Sequence, residues 1–140
     1  MQPTMIFLPA AAMVLLTAVV TFRMFFERVG QMKAERIPFR DIPSGSQMAA
    51  RFADTRAADN YRNLFEAPVL FYLALVIAFA SGHVVPLTLG LAWSYVALRA
   101  AHSYVHCGYN RVSHRFYLFL ASNVVLWALW SVLLVGLLRA

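Results

Sequence analysis

Among the charged residues within or at the ends of the long apolar segments of this 140-residue chain, four arginines and one glutamate could form a binding site. They are Arg62, Glu66, Arg99, Arg111 and Arg115. Ionisable groups are expensive to place at membrane depth, so they normally face the protein interior and have partners. Because a planar guanidinium binds a carboxylate through two parallel hydrogen bonds, an excess of arginine favours an anionic ligand. These residues predict a cationic pocket for a small molecule with acid groups of its own.

The polar residues of the second apolar segment share one side of a predicted helix. At the angular step of an α-helix, Asp59, Arg62, Asn63 and Glu66 fall within one sector. Pro68 lies two residues beyond Glu66 and lacks the N–H that would bond to a carbonyl one turn earlier. We therefore expect this helix to be kinked beside the pocket.

The third apolar segment has two sides of different character. One side carries Tyr95, Arg99, His102 and His106, at positions i, i+4, i+7 and i+11. The opposite side carries Gly90, Ser94, Ala97 and Ala101. Small residues at this spacing allow helices to approach closely in lipid. Because four short helices can hardly cover both sides, we expect a homo-oligomer.

The composition indicates the elements that must position these residues. Hydrophobic residues make up 61% of the chain and charged residues 13%, whereas soluble domains have roughly 45–50% and 25%. A helix that spans a bilayer needs about 20 apolar residues. The apolar runs predict four spans in a single domain of residues 1–140, at about 5–26, 64–80, 87–105 and 116–138. The expected fold is an all-α, integral membrane four-helix bundle, with a turn at residues 42–46 (IPSGS) in the first loop.

The charge distribution predicts the orientation in the membrane. The net charge is +6, but the arginines lie in loops and at helix ends rather than along a solvated stripe, so we expect no nucleic-acid partner. Nearly all basic residues fall in the first and third loops, which the positive-inside rule places in the cytoplasm with both termini outside. In a bacterial host, helical spans predict the inner membrane. The single cysteine excludes an internal disulfide.

Two groups of motifs resemble one known family. Residues 62–68 (RNLFEAP) are similar to the second-helix signature of the MAPEG family, the membrane-associated proteins in eicosanoid and glutathione metabolism. Residues 98–103 (LRAAHS), with 110–111 (NR) and 114–116 (HRF), resemble the signature of the third and fourth helices. The resemblance covers essentially the whole chain and is closest to the bacterial members.

The resemblance implies a homotrimer that binds glutathione between neighbouring protomers on the cytoplasmic side. Guanidinium groups of Arg62, Arg99 and Arg111 would bind the two carboxylates, and Glu66 would bind the ammonium group. Further contacts would come from Asn63, His102, His106 and, across the protomer boundary, Lys33, for which Arg36 is an alternative.

The resemblance also implies an activity. Arg115 matches the family position credited with thiol activation, and a nearby cation lowers the pKa of a thiol. A lipophilic electrophile would arrive from the bilayer beside the fourth helix. The expected function is therefore a glutathione-dependent transferase or peroxidase, with glutathione as co-substrate and membrane lipid around it. Phe116 stands where some relatives have serine, Asp59 where many have arginine, and His106 where tyrosine is frequent.

Three other interpretations remain open from the sequence. Glu66 with Arg62 or Arg99 could be a purely structural ion pair. His102 and His106, at i and i+4, could share a metal ion, although the nearby arginines would repel a cation. The chain could also be a non-enzymatic scaffold or a lipid-binding protein, whose arginines hold phospholipid headgroups or partner carboxylates.

Overall fold

The computed structural model describes residues 2–38, 47 and 52–139, and all regular structure within them is helical. The predicted turn at residues 42–46 lies outside the described residues. A short 3₁₀ turn, Pro3–Ile6, leads into the first helix. The helices are α1 (Phe7–Ala34), α2 (Arg56–Asn63), α3 (Ala67–Ala80), α4 (Pro86–Cys107) and α5 (Val112–Leu138). The prediction of an all-α protein is confirmed for the described part of the chain.

Three stretches of the described residues are long and apolar enough to cross a membrane. They are Pro3–Ala34, Arg56–Ala80 and Val112–Leu138. Helix α4 has 22 residues and is thus about 33 Å long, which would also span a hydrocarbon core of about 30 Å. Its arginine and histidines make it less apolar than the other three, and its crossing of the membrane stays a prediction. The chain is an integral membrane protein.

Helix α1 is longer than the sequence analysis predicted. Its apolar part ends near residue 26, but the helix continues to Ala34 because residues 27–34 are mostly good helix formers. With 28 residues it is about 42 Å long and exceeds the hydrocarbon thickness. The side chain of Gln31 holds the chain just before α2: Nε2 donates to the Asp54 carbonyl (2.9 Å) and Oε1 accepts from the Asp54 N–H (3.1 Å).

The second predicted span is interrupted rather than only kinked. Helix α2 ends at Asn63, and α3 starts at Ala67 with Pro68 in its first turn. The proline ring would clash with the carbonyl of Leu64 in a continuous helix, so the chain leaves the helical path there. Glu66 has φ −95° and ψ −100° and precedes the first residue of α3. The expectation that Glu66 shares a continuous helical sector with Asp59 is therefore wrong.

The two sides of α4 differ as predicted. Its small-residue side is largely exposed, and the expected homotrimer stays a prediction. Its polar side is buried, and these residues are Tyr95, Arg99, His102 and His106. Helices α4 and α5 form the most extensive helix pair. At the Tyr95 end of this polar side, the Tyr95 ring stacks on the Phe71 ring with their centroids 4.6 Å apart. Both rings belong to an apolar core that includes Leu129.

Candidate functional site

A cavity of about 370 Å³ lies where α2, the C-terminal half of α4 and the first turns of α5 meet. Its volume falls in the range of roughly 300–1,000 Å³ that is usual for small-molecule sites. Five polar residues and three apolar ones form the wall. They are Asp59, Asn63, His102, His106, Val112, Arg115, Phe116 and Phe119. The cavity therefore has a polar side, formed by α2, α4 and Arg115 of α5, and an apolar side formed by the other three α5 residues.

Arg115 is the only arginine among the residues that line this cavity. Its Nη1 atom is 3.0 Å from Asn110 Oδ1 and 3.0 Å from His106 Nε2. Both hydrogen bonds that its side chain makes to described residues leave from this one nitrogen, so Nε and Nη2 remain available. The residue lies in the first turn of α5, where the free N–H groups of the helix add partial positive charge.

The hydrogen bonds assign the tautomers of two buried histidines. A guanidinium only donates, so His106 Nε2 accepts from Arg115 and the proton of this ring is on Nδ1. His102 Nδ1 carries a proton and donates to the carbonyl oxygen of Arg115 at 3.0 Å. His102 Nε2 and His106 Nδ1 have no partner within the described residues. Both nitrogen atoms are buried, and the two residues are only 2% and 3% exposed, so neither atom is presented at the cavity surface in this conformation.

Asn110 holds Arg115 from the turn between α4 and α5. Its φ of 50° is in the left-handed region, which asparagine tolerates better than most residues. Its N–H donates to the Val105 carbonyl at 2.8 Å, a bond that closes the C-terminal end of α4. The sequence analysis included Asn110 only as part of a family signature. Its position in the short stretch between the third and fourth predicted spans, as a residue type that tolerates a left-handed conformation, is the local signal for such a cap.

Two arginines from other elements fix the same turn. Arg23 of α1 donates through Nη2 to the Cys107 carbonyl, and Arg56 of α2 donates through Nη1 to the Gly108 carbonyl. Arg56 also forms a salt bridge with Asp54, with 2.6 Å between Nη2 and Oδ2. This guanidinium lowers the pKa of the Asp54 carboxyl from 3.8 to about 2. The turn that carries Asn110 is therefore held by cations from α1 and α2.

Arg99 lies beside this cavity but does not line it. It is 0% exposed, and Nη2 donates to the Asn63 carbonyl at 2.8 Å. Its Nε and Nη1 atoms have no partner within the described residues. The ion pair considered between Arg99 and Glu66 is absent among the described residues, since Glu66 is exposed at the break between α2 and α3.

The other predicted ligands do not reach the cavity within one chain. Lys33, Arg62, Glu66 and Arg111 are exposed and are not among its lining residues. The expected convergence of guanidinium groups is therefore not formed in the single chain. The interruption after Asn63 changes the chain direction before Glu66, and Arg111 precedes the first turn of α5.

Asp59 lines the cavity although the sequence analysis did not include it in the site. From the sequence, it was placed in one helical sector with Arg62, Asn63 and Glu66 and noted as a departure from a family pattern, but it was given no role in binding. Asp59 lies one helical turn before Asn63, and this spacing could have predicted that both side chains line the same cavity.

The metal interpretation lacks a third ligand in the ranges 2–38 and 52–139 and at residue 47. No group of three His, Cys, Asp or Glu side chains there is arranged to hold an ion. Cys107 accepts a hydrogen bond from Asn60 Nδ2 at 3.4 Å, and His114 is bonded to the Tyr109 hydroxyl at 2.9 Å. Cys107 and His114, the cysteine and histidine nearest to the pair in sequence, are thus engaged in other hydrogen bonds.

Comparison with known proteins agrees with the helical architecture and the motifs. No curated protein and no solved structure matches the chain. The sequence model of the MAPEG family matches residues 6–135, which is nearly the whole chain. Members of this family are membrane proteins of glutathione and eicosanoid metabolism. The chain belongs to the MAPEG family.

Proposed function

We propose that this protein is a membrane-bound, glutathione-dependent transferase or peroxidase, in which Arg115 stabilises the thiolate. The observation that carries the proposal is the arrangement of Arg115 in the cavity. Two acceptors hold its Nη1 atom, while Nε and Nη2 make no hydrogen bond to described residues. A guanidinium fixed in this way can bind an anionic sulfur atom without first reorganising, and preorganised charge of this kind is a large contribution to catalysis.

Glutathione would occupy the polar side of the cavity. Asn63, His102 and His106 line this side. The unpartnered ring nitrogens of the two histidines are buried, and a shift of these side chains would bring them to the peptide groups of the ligand. The carboxylate contacts of Arg62, Arg99 and Arg111, the ammonium contact of Glu66 and the contribution of Lys33 follow from the family resemblance. Because most of these side chains are exposed in one chain, they would complete the site where protomers of a homotrimer cover this surface.

The apolar side of the cavity suits the second substrate. Val112, Phe116 and Phe119 are 65%, 57% and 37% exposed, so this side is open to the surroundings of α5. A hydrophobic electrophile dissolved in the bilayer could enter there without crossing water. The positive-inside rule places this end of α5 at the cytoplasmic face, which in a bacterial host is that of the inner membrane.

The chemistry begins with loss of the thiol proton to solvent, since the cationic Arg115 favours the thiolate. In conjugation, the sulfur attacks an electrophilic carbon, a C–S bond forms and a leaving group departs with its electron pair. In peroxide reduction, the sulfur attacks the terminal oxygen of a hydroperoxide, an S–O bond forms and the O–O bond breaks, which gives a sulfenic acid and an alkoxide. The alkoxide takes a proton from solvent and becomes the alcohol. A second thiol then converts the sulfenic acid to a disulfide and water.

The test compares Arg115→Leu with Arg139→Leu, which removes an exposed arginine outside the cavity. We expect Arg115→Leu to lower conjugation and peroxide reduction by roughly a hundredfold or more, the usual cost of losing a preorganised charge donor. The oligomer, measured by size-exclusion chromatography in detergent, should be unchanged. Equal turnover of the two variants would contradict the role of Arg115.

Glutathione-affinity capture of the detergent-purified protein tests the ligand separately. Retention with elution by free glutathione supports the proposal, and no retention favours the scaffold or lipid-binding alternative. Calorimetric titration with S-hexylglutathione extends this test to the apolar side. The alkylated peptide should bind more tightly than glutathione, because its alkyl chain would lie against α5.

A further inference from the structure

A second cavity, of about 280 Å³, lies between α1 and the C-terminal part of α4, and we call it the α1–α4 groove. Leu16, Val19 and Val20 line it from α1, and Ala100 lines it from α4. These residues belong to the apolar parts of two predicted spans. From Leu16 to Arg23 the helix rises about 10 Å, which is about two-thirds of one leaflet of a hydrocarbon core of about 30 Å. The groove therefore has the polarity and the length to hold part of one acyl chain.

Polar groups line the groove at one end. Arg23 lies near the end of the apolar part of α1, and Tyr104 lies three residues before the end of α4. Arg23 Nη2 donates to the carbonyl of Cys107, the last residue of α4, so both polar residues are at the same end. The predicted orientation places this end at the cytoplasmic face. The groove is thus apolar at membrane depth and polar at the boundary, which matches the polarity of a phospholipid.

Arg23 keeps a hydrogen-bond donor for an anion. Its Nε atom donates to Glu27 Oε1 at 2.9 Å and its Nη2 atom to the Cys107 carbonyl. Its Nη1 atom makes no hydrogen bond to the described residues. Because two of its three nitrogens are already held, the guanidinium needs little reordering to donate from Nη1 to a phosphate oxygen. Glu27 does not line the groove, so the carboxylate that pairs with Arg23 lies outside it.

The groove is separate from the surfaces that the proposed function uses. At the angular step of an α-helix, Ala100 and Tyr104 lie on a further side of α4, distinct from the polar side of Arg99 and the small-residue side of Ala97. Basic pockets between spanning helices at the cytoplasmic face bind the headgroups of anionic lipids. Nearly all basic residues of this chain fall in the loops at that face, so an anionic lipid complements its charge.

We propose that the α1–α4 groove binds an anionic phospholipid. One acyl chain lies along Leu16, Val19 and Ala100, and the phosphate accepts hydrogen bonds from Arg23 Nη1 and the Tyr104 hydroxyl. The bound lipid fills the space between α1 and α4 next to the turn that carries Asn110. This site is additional to the glutathione site and does not depend on the proposed activity.

The test is photolabelling of the full-length protein in phosphatidylcholine vesicles. The probe is a phosphatidylglycerol that carries a diazirine in one acyl chain, and a phosphatidylcholine with the same acyl chains is the comparison. Mass spectrometry of peptides locates the label, which we expect at Val19, Val20 or Ala100. Labelling there should be roughly fivefold stronger with the phosphatidylglycerol probe, the usual effect of one arginine near an anionic lipid.

Four variants assign the contacts. Arg23→Gln should lower the preference for phosphatidylglycerol to about twofold or less. The matched control Arg28→Gln removes an arginine of the same helix outside the groove and should keep the preference. Tyr104→Phe removes only an exposed hydroxyl and should weaken labelling by phosphatidylglycerol severalfold, even if Arg23→Gln disturbs the α4–α5 turn. Ala100→Phe should fill the groove and weaken labelling by both probes.

Several results would overturn the inference. The two probes could label the groove equally, the label could spread evenly over all helices, or Arg28→Gln could lower the preference as much as Arg23→Gln. An unlabelled groove in wild type, with an oligomer that dissociates in Ala100→Phe, would show that a second copy of the chain occupies the groove instead. Size-exclusion chromatography measures that dissociation. None of these results bears on glutathione binding, so the proposed function is tested independently.

Discussion

Replacement of Asn110 by glycine tests whether a residue outside the cavity wall orients Arg115. Glycine adopts the φ of 50° freely and retains the N–H that donates to Val105, so only the side-chain amide is lost. The lost interaction is the 3.0 Å hydrogen bond from Arg115 Nη1 to Asn110 Oδ1. His106 still accepts from the same nitrogen.

The size of the effect follows from this partial loss. A hydrogen bond to a charged group contributes about 1.5–3 kcal/mol, and the lower value applies because His106 remains. About 1.4 kcal/mol corresponds to a factor of ten. We therefore expect Asn110→Gly to lower kcat/KM for conjugation roughly tenfold, mainly through kcat, with the KM for glutathione nearly unchanged.

Two measurements separate orientation from general damage. Phenylglyoxal modifies accessible arginines, and mass spectrometry reports the rate at Arg115 without any thiol present. Arg115 should react roughly tenfold faster in Asn110→Gly, because one of its two hydrogen bonds is gone. Asn110→Asp, which keeps an acceptor oxygen and tolerates the same backbone conformation, should restore the slow rate. If Asn110→Gly changes neither the modification rate nor kcat, Asn110 does not position Arg115.

Two further predictions concern stability. Asn60→Leu leaves the buried Ser103 hydroxyl without its acceptor, so it should lower the free energy of unfolding by about 1–3 kcal/mol, measured by thermal unfolding. The control Asn123→Leu removes an exposed hydrogen bond and should lower it less. Equal losses in the two variants would contradict a special role of Asn60. The folded-state pKa of Asp54, about 2, is below its ordinary 3.8. Its pairing with Arg56 therefore stabilises the protein above pH 3.8, and this stabilisation is lost as the pH falls towards 2. Asp54→Asn should remove this pH dependence of the unfolding free energy. An unchanged pH profile in the variant would refute the prediction.

The parts of the fold that depend on periodicity were predictable from the sequence. The polar and small sides of α4 follow from residue spacing alone, and the structure buries the polar side as expected. Pro68 marked a local disturbance because its ring is incompatible with a continuous helix. The end of α1 was not predictable from hydropathy, because hydropathy measures suitability for lipid, whereas the helix continues wherever residues favour it, here to Ala34.

The candidate site was only partly predictable, because it depends on where the chain changes direction. His102, His106, Asn63 and Arg115 line one cavity as expected from their helical positions and motifs. The break after Asn63 separates Glu66 from that cavity, and no residue pattern gives the direction of the chain after such a break. Arg62 precedes the break but is exposed and does not line the cavity. Asp59 joins the site because it lies one helical turn before Asn63, and Asn110 joins it because its left-handed backbone lets its side chain bond to Arg115. Only the coordinates show that both residues lie near Arg115.

The arginine pair on the α4–α5 turn has a consequence for how strongly Arg115 can attract an incoming anion. The carbonyl end of a helix carries a partial negative charge, and in α4 this end lies within a few residues of Arg115. Arg23 and Arg56 already occupy the carbonyls of Cys107 and Gly108. Cations outside the cavity thereby satisfy those oxygens, and the oxygens do not compete with an incoming anion for the Arg115 guanidinium.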